Sequence, residues 1–549
     1  MADPIVMDPI AANDEASMQI RKEIAGGKGK QLSAILSLEC VCARCALCMA
    51  GVRVPSLYAI PEAALRDAMC KELAVQEPPP PPCQPGGTAN CATCLGILAE
   101  RGEPVAEKVG RRIRELGYSP ESLSTFILSL SAPSAVLIRQ HLASDRVDTI
   151  LRERLAAAGT QGTIPSKSKI VETKEAFRWM VAGGVTALVG AKLDQGEADY
   201  GGRLKIDVEF RHKDTAGEKD LLLVGKNAPR TQRGKREQGQ RRGAVHEVEN
   251  IAVVVSVLGA MPPGAISKMF PWPPKEVTEE PEITIKVERE PIFVGGHYCK
   301  YSREVSQSPW NEAHGDIGDS VQSLILKELG PHFNAGECKF MGSGREDVDV
   351  RMLGEGRPFY IELVDAKTLP SNPHLPPPAP EAAASRPGAT PGEGKERGVY
   401  TQIEAAINAS TSLIQVNRVR AVGRSYIQLI KSSGETKRKF YRALVWTSKE
   451  VSPARIAEIN AMATPFPIDQ DTPVRVLHRR SLATRVRHIH SIKCTVVNPR
   501  FLLLDLQTEA GTYVKEFVHG DLGRTRPSLG SLLHCDADIL QLDVDQVEV

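Results

Sequence analysis

Two kinds of residue cluster in this 549-residue chain have types and spacings suited to chemistry. The first is Gly344-Arg345-Glu346-Asp347-Val348-Asp349-Val350-Arg351, in which charged and apolar residues alternate from Asp347 to Arg351. A period of two predicts a strand with Asp347, Asp349 and Arg351 on one face and Val348 and Val350 in a core. Two carboxylates beside a guanidinium suit nucleophilic, acid/base or metal-assisted reactions. The same alternation fits a half-buried strand with a solvated face, and pattern alone favours that plainer reading. The second kind is the Cys-x-x-Cys pair. Cys40-Val41-Cys42-Ala43-Arg44-Cys45-Ala46-Leu47-Cys48 holds overlapping pairs, and Cys91-Ala92-Thr93-Cys94 adds another. Two thiolates two residues apart can face one tetrahedral zinc, and two such pairs complete its shell, which makes the metal structural. Cys42, Cys45, Cys91 and Cys94 are the favoured set, with Cys40 and Cys48 as rivals inside the first run. Buried free thiols or a redox pair is the alternative.

Those residues need cores to hold them. The chain is too long for one core, and two or three domains are expected. Apolar residues at 42% and charged residues at 25% are globular values. Lys and Arg total 69 against 67 Asp and Glu, a net charge of +2, so a preference for nucleic acid must come from local clustering. No apolar run reaches the roughly 18 residues of a membrane span, and Met1 to Asn13 lack a basic-then-apolar signal pattern. The expectation is an intracellular protein, nuclear or cytoplasmic, with no membrane partner. Its twelve cysteines then read as metal ligands or buried side chains rather than disulfides.

Residues 1–30, ending in Gly26, Gly27 and Gly29, read as a flexible tail. A proline run from Pro78 to Pro82 separates the cysteine pairs. Val105, Val109, Ile113 and Leu116 recur at helical spacing, as does a stretch from Val171 to Ala182. Phe126, Leu128 and Leu130, and then Leu204, Ile206, Val208 and Phe210, alternate as strands, so residues 31–270 read as a mixed α/β domain. Arg230 to Arg242 is a basic, glycine-dotted segment that fits a phosphate contact and a solvated loop equally well. Prolines over 271–282 mark a linker, after which Ile283, Ile285 and Val287 open a second half.

In that half, Gly295 to Glu304 mixes glycines, aromatics and cations in the manner of RNA-contacting loops. Val321, Leu324, Ile325 and Leu329 predict a helix capped by Ser320 and stopped at Gly330. Residues 370–394, rich in Pro and Ala, read as a disordered insertion. A basic turn, Lys437-Arg438-Lys439, precedes a strand that carries Tyr441. From Val474 to Lys493 there are six Lys/Arg, including Arg479 and Arg480, and no acid, which predicts strands forming a phosphate-binding wall. Leu502, Leu504 and Leu506 lead into Thr512-Tyr513-Val514-Lys515, which reads as a hairpin.

Four strings in this half, GGHYCKYSREVSQSPW, GREDVDVRMLGEGRPF, TPVRVLHRRSLATRVR and AGTYVKEFVHGDLGRTRP, resemble in their order the RNA pseudouridine synthases. The resemblance is to the archaeal and eukaryotic "Pus-ten" branch of tRNA synthases, and it covers most of residues 283–549. The CARC and CATCLGIL strings resemble the zinc-bound, THUMP-containing N-terminal domain of the same branch. The resemblance implies an α+β architecture. A catalytic domain with a mixed, largely antiparallel sheet flanked by helices would follow a zinc-containing, THUMP-like, RNA-binding accessory domain. Residue by residue, it places Asp347 on the catalytic aspartate, Tyr441 on a tyrosine that stacks on uracil, and Lys515 on the basic partner of the aspartate. Val514, where isoleucine is usual, and Leu542 fall on apolar positions lining the uracil pocket. Arg345, Arg479 and Arg480 join the substrate-binding set.

The implied partner is tRNA, modified in the T-arm at positions 54 and/or 55, with the protein acting as a monomer. The implied metal is a structural zinc. The rearrangement breaks an N-glycosidic bond and forms a C–C bond with no net redox change or hydrolysis, so no catalytic cofactor is expected. Its aspartate serves as nucleophile or as base, and a nearby cation favours the charged form such a carboxylate needs. In an ordinary strand Val514 and Lys515 would point to opposite faces, so a bulge or a backbone contact is required to bring both near uracil. Two rivals stand beside this reading. One takes Asp347 and Asp349 as an Asp-x-Asp metal site for group transfer, which Arg345 and Arg351 disfavour. The other is a non-catalytic, zinc-containing RNA-binding protein.

Overall fold

Alternating buried and solvated side chains mark strands in both sheets of the protein. The structure is a computed structural model that describes residues 9–38, 40–75, 91–99, 103–119, 122–158, 170–194, 202–215, 217–223, 251–277, 279–309, 318–369 and 398–547. The chain forms two units, Met1–Gln195 with Arg203–Glu288 and Gly196–Gly202 with Arg289–Val549. The insertion at 370–394, the basic segment Arg230 to Arg242, the run Pro78 to Pro82 and Trp310 lie outside the described residues.

In the first unit, strands β1 (Thr125–Ser131), β2 (Lys192–Leu193), β3 (Leu204–Arg211) and β4 (Glu282–Arg289) lie in the order β2-β1-β3-β4. β1 runs parallel to β2 and to β3. Parallel pairing needs long crossovers, and helices Ser134–Ala157 and Thr173–Val189 lie between β1 and β2. Helix Val105–Glu115 buries Val105, Val109 and Ile113, as their spacing requires.

Two expectations change here. The expected flexible tail is helical from Pro9 to Glu23, and again over Gly29–Leu36, because Ala16, Ile20, Leu32 and Ile35 are buried in this unit's core. Gly27, at φ 93°, absorbs the kink between the helices. β4, expected to open the second half, joins the first sheet, and Val277 and Trp272 of the expected linker pack on the same core.

The second unit is built on β5 (Ile292–Lys300), β6 (Glu337–Gly342), β7 (Val350–Val364), β8 (Ile414–Ala421), β9 (Lys439–Thr447), β10 (Phe466–Asp471), β11 (Thr484–Asn498), β12 (Phe501–Thr508), β13 (Thr525–Arg526) and β14 (Ala537–Val547). Their order is β13-β10-β11-β12-β9-β14-β7-β5-β8, with β6 on β7. β7 and β14 run parallel, while β14 is antiparallel to β9. The helix Val321–Leu329 starts on a capping box between Ser320 and Ser323. Its Val321, Leu324, Ile325 and Leu329 join Ile403, Ile407, Phe359 and Ile361 in one core. Burying each such side chain is worth about 1.5–3 kcal/mol.

Of the segment expected as an RNA-contacting loop, Gly295 to Lys300 lie in the buried strand β5, between β7 and β8, and Tyr301 to Glu304 follow it outside the strand. A Cβ on Gly295 would stand 2.6 Å from the Tyr426 ring and 2.8 Å from a Val422 methyl, so the glycine serves close packing. The expected hairpin after β12 is a helix, Val514–His519, that buries Val514, Phe517 and Val518 and stops at Gly520, φ 81°. Those burials follow the i, i+3, i+4 spacing of a helix, which so short a segment shows too few times to fix the period from sequence.

Candidate active site

Asp347 does not lie on a strand. β6 ends at Gly342, β7 begins at Val350, and residues 343–349 form the loop between them. Lys300, fully buried, donates from Nζ to the carbonyls of Val305 (2.9 Å), Asp347 (3.2 Å) and Val348 (2.6 Å). An ammonium thus takes the carbonyls that a ladder would have used, and the chain turns, with Val350 N–H donating to Asp347 O at 3.1 Å. Burial pushes the Lys300 amine down to about 8, against the opposing pull of Glu346 and Asp349.

Below the loop, Glu346 is fully buried and paired with Arg357, Nε to Oε2 at 2.8 Å. Tyr298 Oη donates to the same carboxylate at 2.9 Å, and Gln307 Nε2 donates to Tyr298 Oη at 2.7 Å and to Gly344 O at 2.9 Å. Arg357 also donates to Ser343 O at 2.7 Å. Gly344 has φ 86°, and a Cβ there would stand 3.0 Å from an Arg357 nitrogen and 3.1 Å from Lys439 Nζ. Only glycine fits between those cations.

Above it, the Asp347 carboxylate meets Arg475 at 3.2 Å and Lys515 Nζ at 3.4 Å. Lys515 lies closer to Asp349, at 2.7 and 2.8 Å. Burial works to raise the Asp349 carboxyl, but the Lys515 hydrogen bond and charge outweigh it and leave it lowered. Arg475 is set by Glu516, a nearly fully buried carboxylate at 2.6 Å, and lies over the Tyr513 ring at 5.7 Å. Arg351 pairs bidentately with Asp543 at 2.6 and 2.9 Å, tying β7 to β14. Asp347 and Asp349 therefore do not form a shared cation site, since a divalent ion between them would face Lys515 and Arg475.

Glu346, Asp347, Asp349, Arg357, Arg475 and Lys515 line one cleft of about 1320 Å³. Val350 pairs with Leu542, and Val544 with Tyr441, so these side chains share one face of the sheet and supply an apolar floor. Burial pushes the Tyr441 phenol up to about 12, which keeps it protonated near neutrality. Val514 and Lys515 follow one another on a helix, so a rotation of about 100° per residue lets both face the cleft without a bulge. Arg345, Arg479 and Arg480 are exposed on the lining. Arg479 and Arg480 follow a single 3-10 turn, Val474–Val476, whereas strands were expected there; β11 begins only at Thr484.

In the first unit, Cys42, Cys45, Cys91 and Cys94 are buried with all four sulfurs within 4.8 Å of one another. The Cys42–Cys94 and Cys45–Cys91 sulfur pairs are each 3.9 Å apart. A tetrahedral zinc with Zn–S near 2.3 Å needs sulfurs roughly 3.8 Å apart, so the donor set and its spacing fit that ion. Backbone N–H groups of Cys42 and Leu98 point at the sulfurs of Cys91 (3.3 Å) and Cys94 (3.4 Å), as outer-shell donors to thiolates do. Cys48 is buried outside the cluster, and Cys40 contributes its carbonyl to Ala92 N–H.

Comparison with known proteins bears on both clusters. Residues 293–375 and 392–548 match the family described as "Pus10, C-terminal", and residues 91–286 match "Eukaryotic Pus10, N-terminal". The chain is 34% identical to the tRNA pseudouridine synthase Pus10 of Xenopus laevis over 463 residues, covering 84% of this chain and 80% of that protein. With the protein of the same description from Mus musculus it shares 31% over 562 residues, 95% and 97% of the two chains. For that of Homo sapiens the figures are 35% over 462 residues, 84% and 78%. The chain belongs to the Pus10 family.

The Pus10 C-terminal match contains Asp347, Tyr441, Lys515, Val514 and Leu542, all of which meet in the cleft. The Pus10 N-terminal match opens at Cys91 and so holds half of the cysteine cluster. Sequence reasoning missed four groups that build this Pus10 site: Lys300, Glu346 with Arg357, Glu516 behind Arg475, and Lys439. Lys439, read as part of a basic turn, is the buried first residue of β9. The Glu516 carboxylate stands beside Lys515 in sequence, but its burial has no local signature.

Proposed function

We propose that the cleft of this Pus10-family isomerase converts uridine to pseudouridine in tRNA, in the T-arm at position 54, 55 or both, with Asp347 as the catalytic carboxylate. The observation that carries this reading is the Asp347 carboxylate set between Lys515 and Arg475 at the edge of an apolar floor. As nucleophile it would attack C1′ of the ribose; as base it would take the 2′ proton. Either role needs an oriented, ionised carboxylate, and two cations at 3.2 and 3.4 Å orient it. Val350, Val514 and Leu542 offer the detached base a surface on which to turn over without a competing hydrogen bond. Tyr441, beside them, offers its ring for stacking.

Access needs an unstacked nucleotide, and the arginines outside the floor suit its phosphates. Replacing Arg479 and Arg480 together by Gln should weaken tRNA binding and flatten the log K against log salt slope by about 1.5, the contribution of two phosphate contacts. An unchanged slope in a salt titration would remove both from the interface. The position of modification is read by incubating tRNA transcripts with the protein and mapping pseudouridine by mass spectrometry. Product at 54 or 55 is expected, and product confined to other positions would overturn the T-arm assignment.

The first unit, with its parallel β1–β3 pairing and cysteine cluster, is read as a THUMP-like RNA-binding accessory domain. Cys42, Cys45, Cys91 and Cys94 would hold a structural zinc as four thiolates. Cys42→Ser and Cys91→Ser should each bring metal content by elemental analysis close to zero. Full zinc occupancy in either variant would rule that ligand out.

A further inference from the structure

Lys439 lines the cleft and takes no part in the contacts that hold Asp347. It stands two residues before Tyr441 on β9, whose pairing with β12 is regular from Lys439 to Trp446, so both side chains face the cleft. The residue is 8% exposed. Its Nζ has no hydrogen-bond or ion-pair partner among the described residues. The nearest carboxylate network is spent, because Glu346 is paired with Arg357 and accepts from Tyr298. Glu346 set against Arg357 and Lys439 leaves one positive charge over. Burial, and then Arg357, push the Lys439 amine down to about 8, with Glu346 acting the other way. An ammonium held largely out of water without a partner is costly. A cleft that keeps one on its inner wall is preorganised for negative charge delivered by its ligand.

We propose that Lys439 is a further catalytic residue, whose ammonium donates a hydrogen bond to a ring carbonyl oxygen of the target uracil and stabilises the charge the base acquires when its glycosidic bond breaks. This rests on the pseudouridine reading of the cleft. When N1–C1′ breaks, the electron pair leaves with the base and spreads over N1 and the two carbonyl oxygens. C1′ is meanwhile bonded to an Asp347 oxygen, or its neighbour C2′ has given a proton to Asp347 that returns later. C5 then forms its bond to C1′, which releases the Asp347 oxygen or goes with return of the proton to C2′; C5 loses its proton to solvent, and N1, freed of its bond to C1′, gains one. Lys439 keeps its proton throughout, so its contribution is a contact that strengthens as charge develops. A phosphate is the poorer occupant, because backbone phosphates meet the exposed Arg479 and Arg480 rather than a nearly closed position beside Tyr441.

The test uses the full chain and a tRNA transcript at saturating concentration under single-turnover conditions. Lys439→Met should slow pseudouridine formation about 100-fold, the usual loss of one donor to a developing anion, with RNA Kd within about twofold. Its thermal midpoint should not fall, since an unpartnered buried charge has been removed. The unaltered protein should lose rate as pH rises past about 8. Lys439→Arg should keep measurable activity, because a guanidinium stays charged and still donates. A Lys439→Met rate within about threefold of the parent, or a rate loss matched by an equal loss of RNA binding, overturns the proposal. If Lys439→Met does not fold, Lys439→Gln takes its place, and a rate within about threefold of the parent is the negative result. Asp347→Asn run alongside separates the two readings. Activity in that variant defeats the site assignment itself, whereas an inactive Asp347→Asn with an unimpaired Lys439→Met defeats only Lys439.

Discussion

Asp347→Ala should lower pseudouridine formation on tRNA transcripts by at least about 10³-fold, as loss of a group that takes part in bond making does. RNA affinity should stay near that of the parent. The loop is held by contacts that the substitution leaves alone. Lys300 binds the backbone carbonyls of residues 347 and 348, and the Glu346–Arg357 pair lies beneath. What disappears is the carboxylate facing Arg475 and Lys515, and with it the nucleophile or base. Filter binding beside a pseudouridine assay separates the two effects. Activity within tenfold of the parent would mean that another group carries the chemistry, and a large loss of binding would mean that Asp347 mainly shapes the interface.

Arg357→Met should destabilise the second unit by about 3–5 kcal/mol, the cost of leaving one member of a buried ion pair without the other. Both side chains are essentially inaccessible, and the pair is 2.8 Å apart. Without the guanidinium, Glu346 keeps the Tyr298 hydroxyl but loses its hydrogen-bonded cation, a contact that Lys439 does not make, and Ser343 O loses its donor at 2.7 Å. Adding Glu346→Leu to this variant should recover much of the loss, because the remaining apolar pair no longer holds a bare charge. Urea unfolding of the parent, single and double variants measures the cycle. A single variant within about 1 kcal/mol of the parent would show that water reaches Glu346 and that the pair does not fix the loop.

How much of this was legible in the sequence depends on the range of the contact concerned. Ser320 capped its helix because a capping box is a matter of three residues. Leu204 to Phe210 formed β3 because one buried face is written directly in alternation. The cysteine set was favoured in advance, and geometry separates it from Cys40 and Cys48. Asp347 to Arg351 also alternates, yet only Val350 and Arg351 enter a strand. The deciding partner is Lys300, far upstream, whose ammonium competes for the carbonyls. Val514 to His519 misled for another reason: six residues, of which Val514, Glu516, Phe517 and Val518 are buried, are too few to fix a period. Gly295 to Lys300 has the composition of an RNA loop, but its glycines answer to Tyr426, Val422 and Phe359 across the sheet. Glu516 and Lys439 were invisible for the same physical reason: desolvation is a property of the surroundings, and no residue type announces it.

The position of β14 has a bearing on how this enzyme is made. It pairs with β9 on one side and β7 on the other, and it brings Leu542 and Val544 to the floor beneath the target base. During translation, β7 and β9 have left the ribosome long before residues 537–547 exist, and each waits with one hydrogen-bonding edge unfilled. The nascent chain therefore passes through a stage in which most of its sheet has been synthesised but its reaction chamber has no centre. Ribosomes that stop before Ala537 would release chains with two adhesive edges and no pocket, which suits them to aggregation or to capture by chaperones rather than to partial activity.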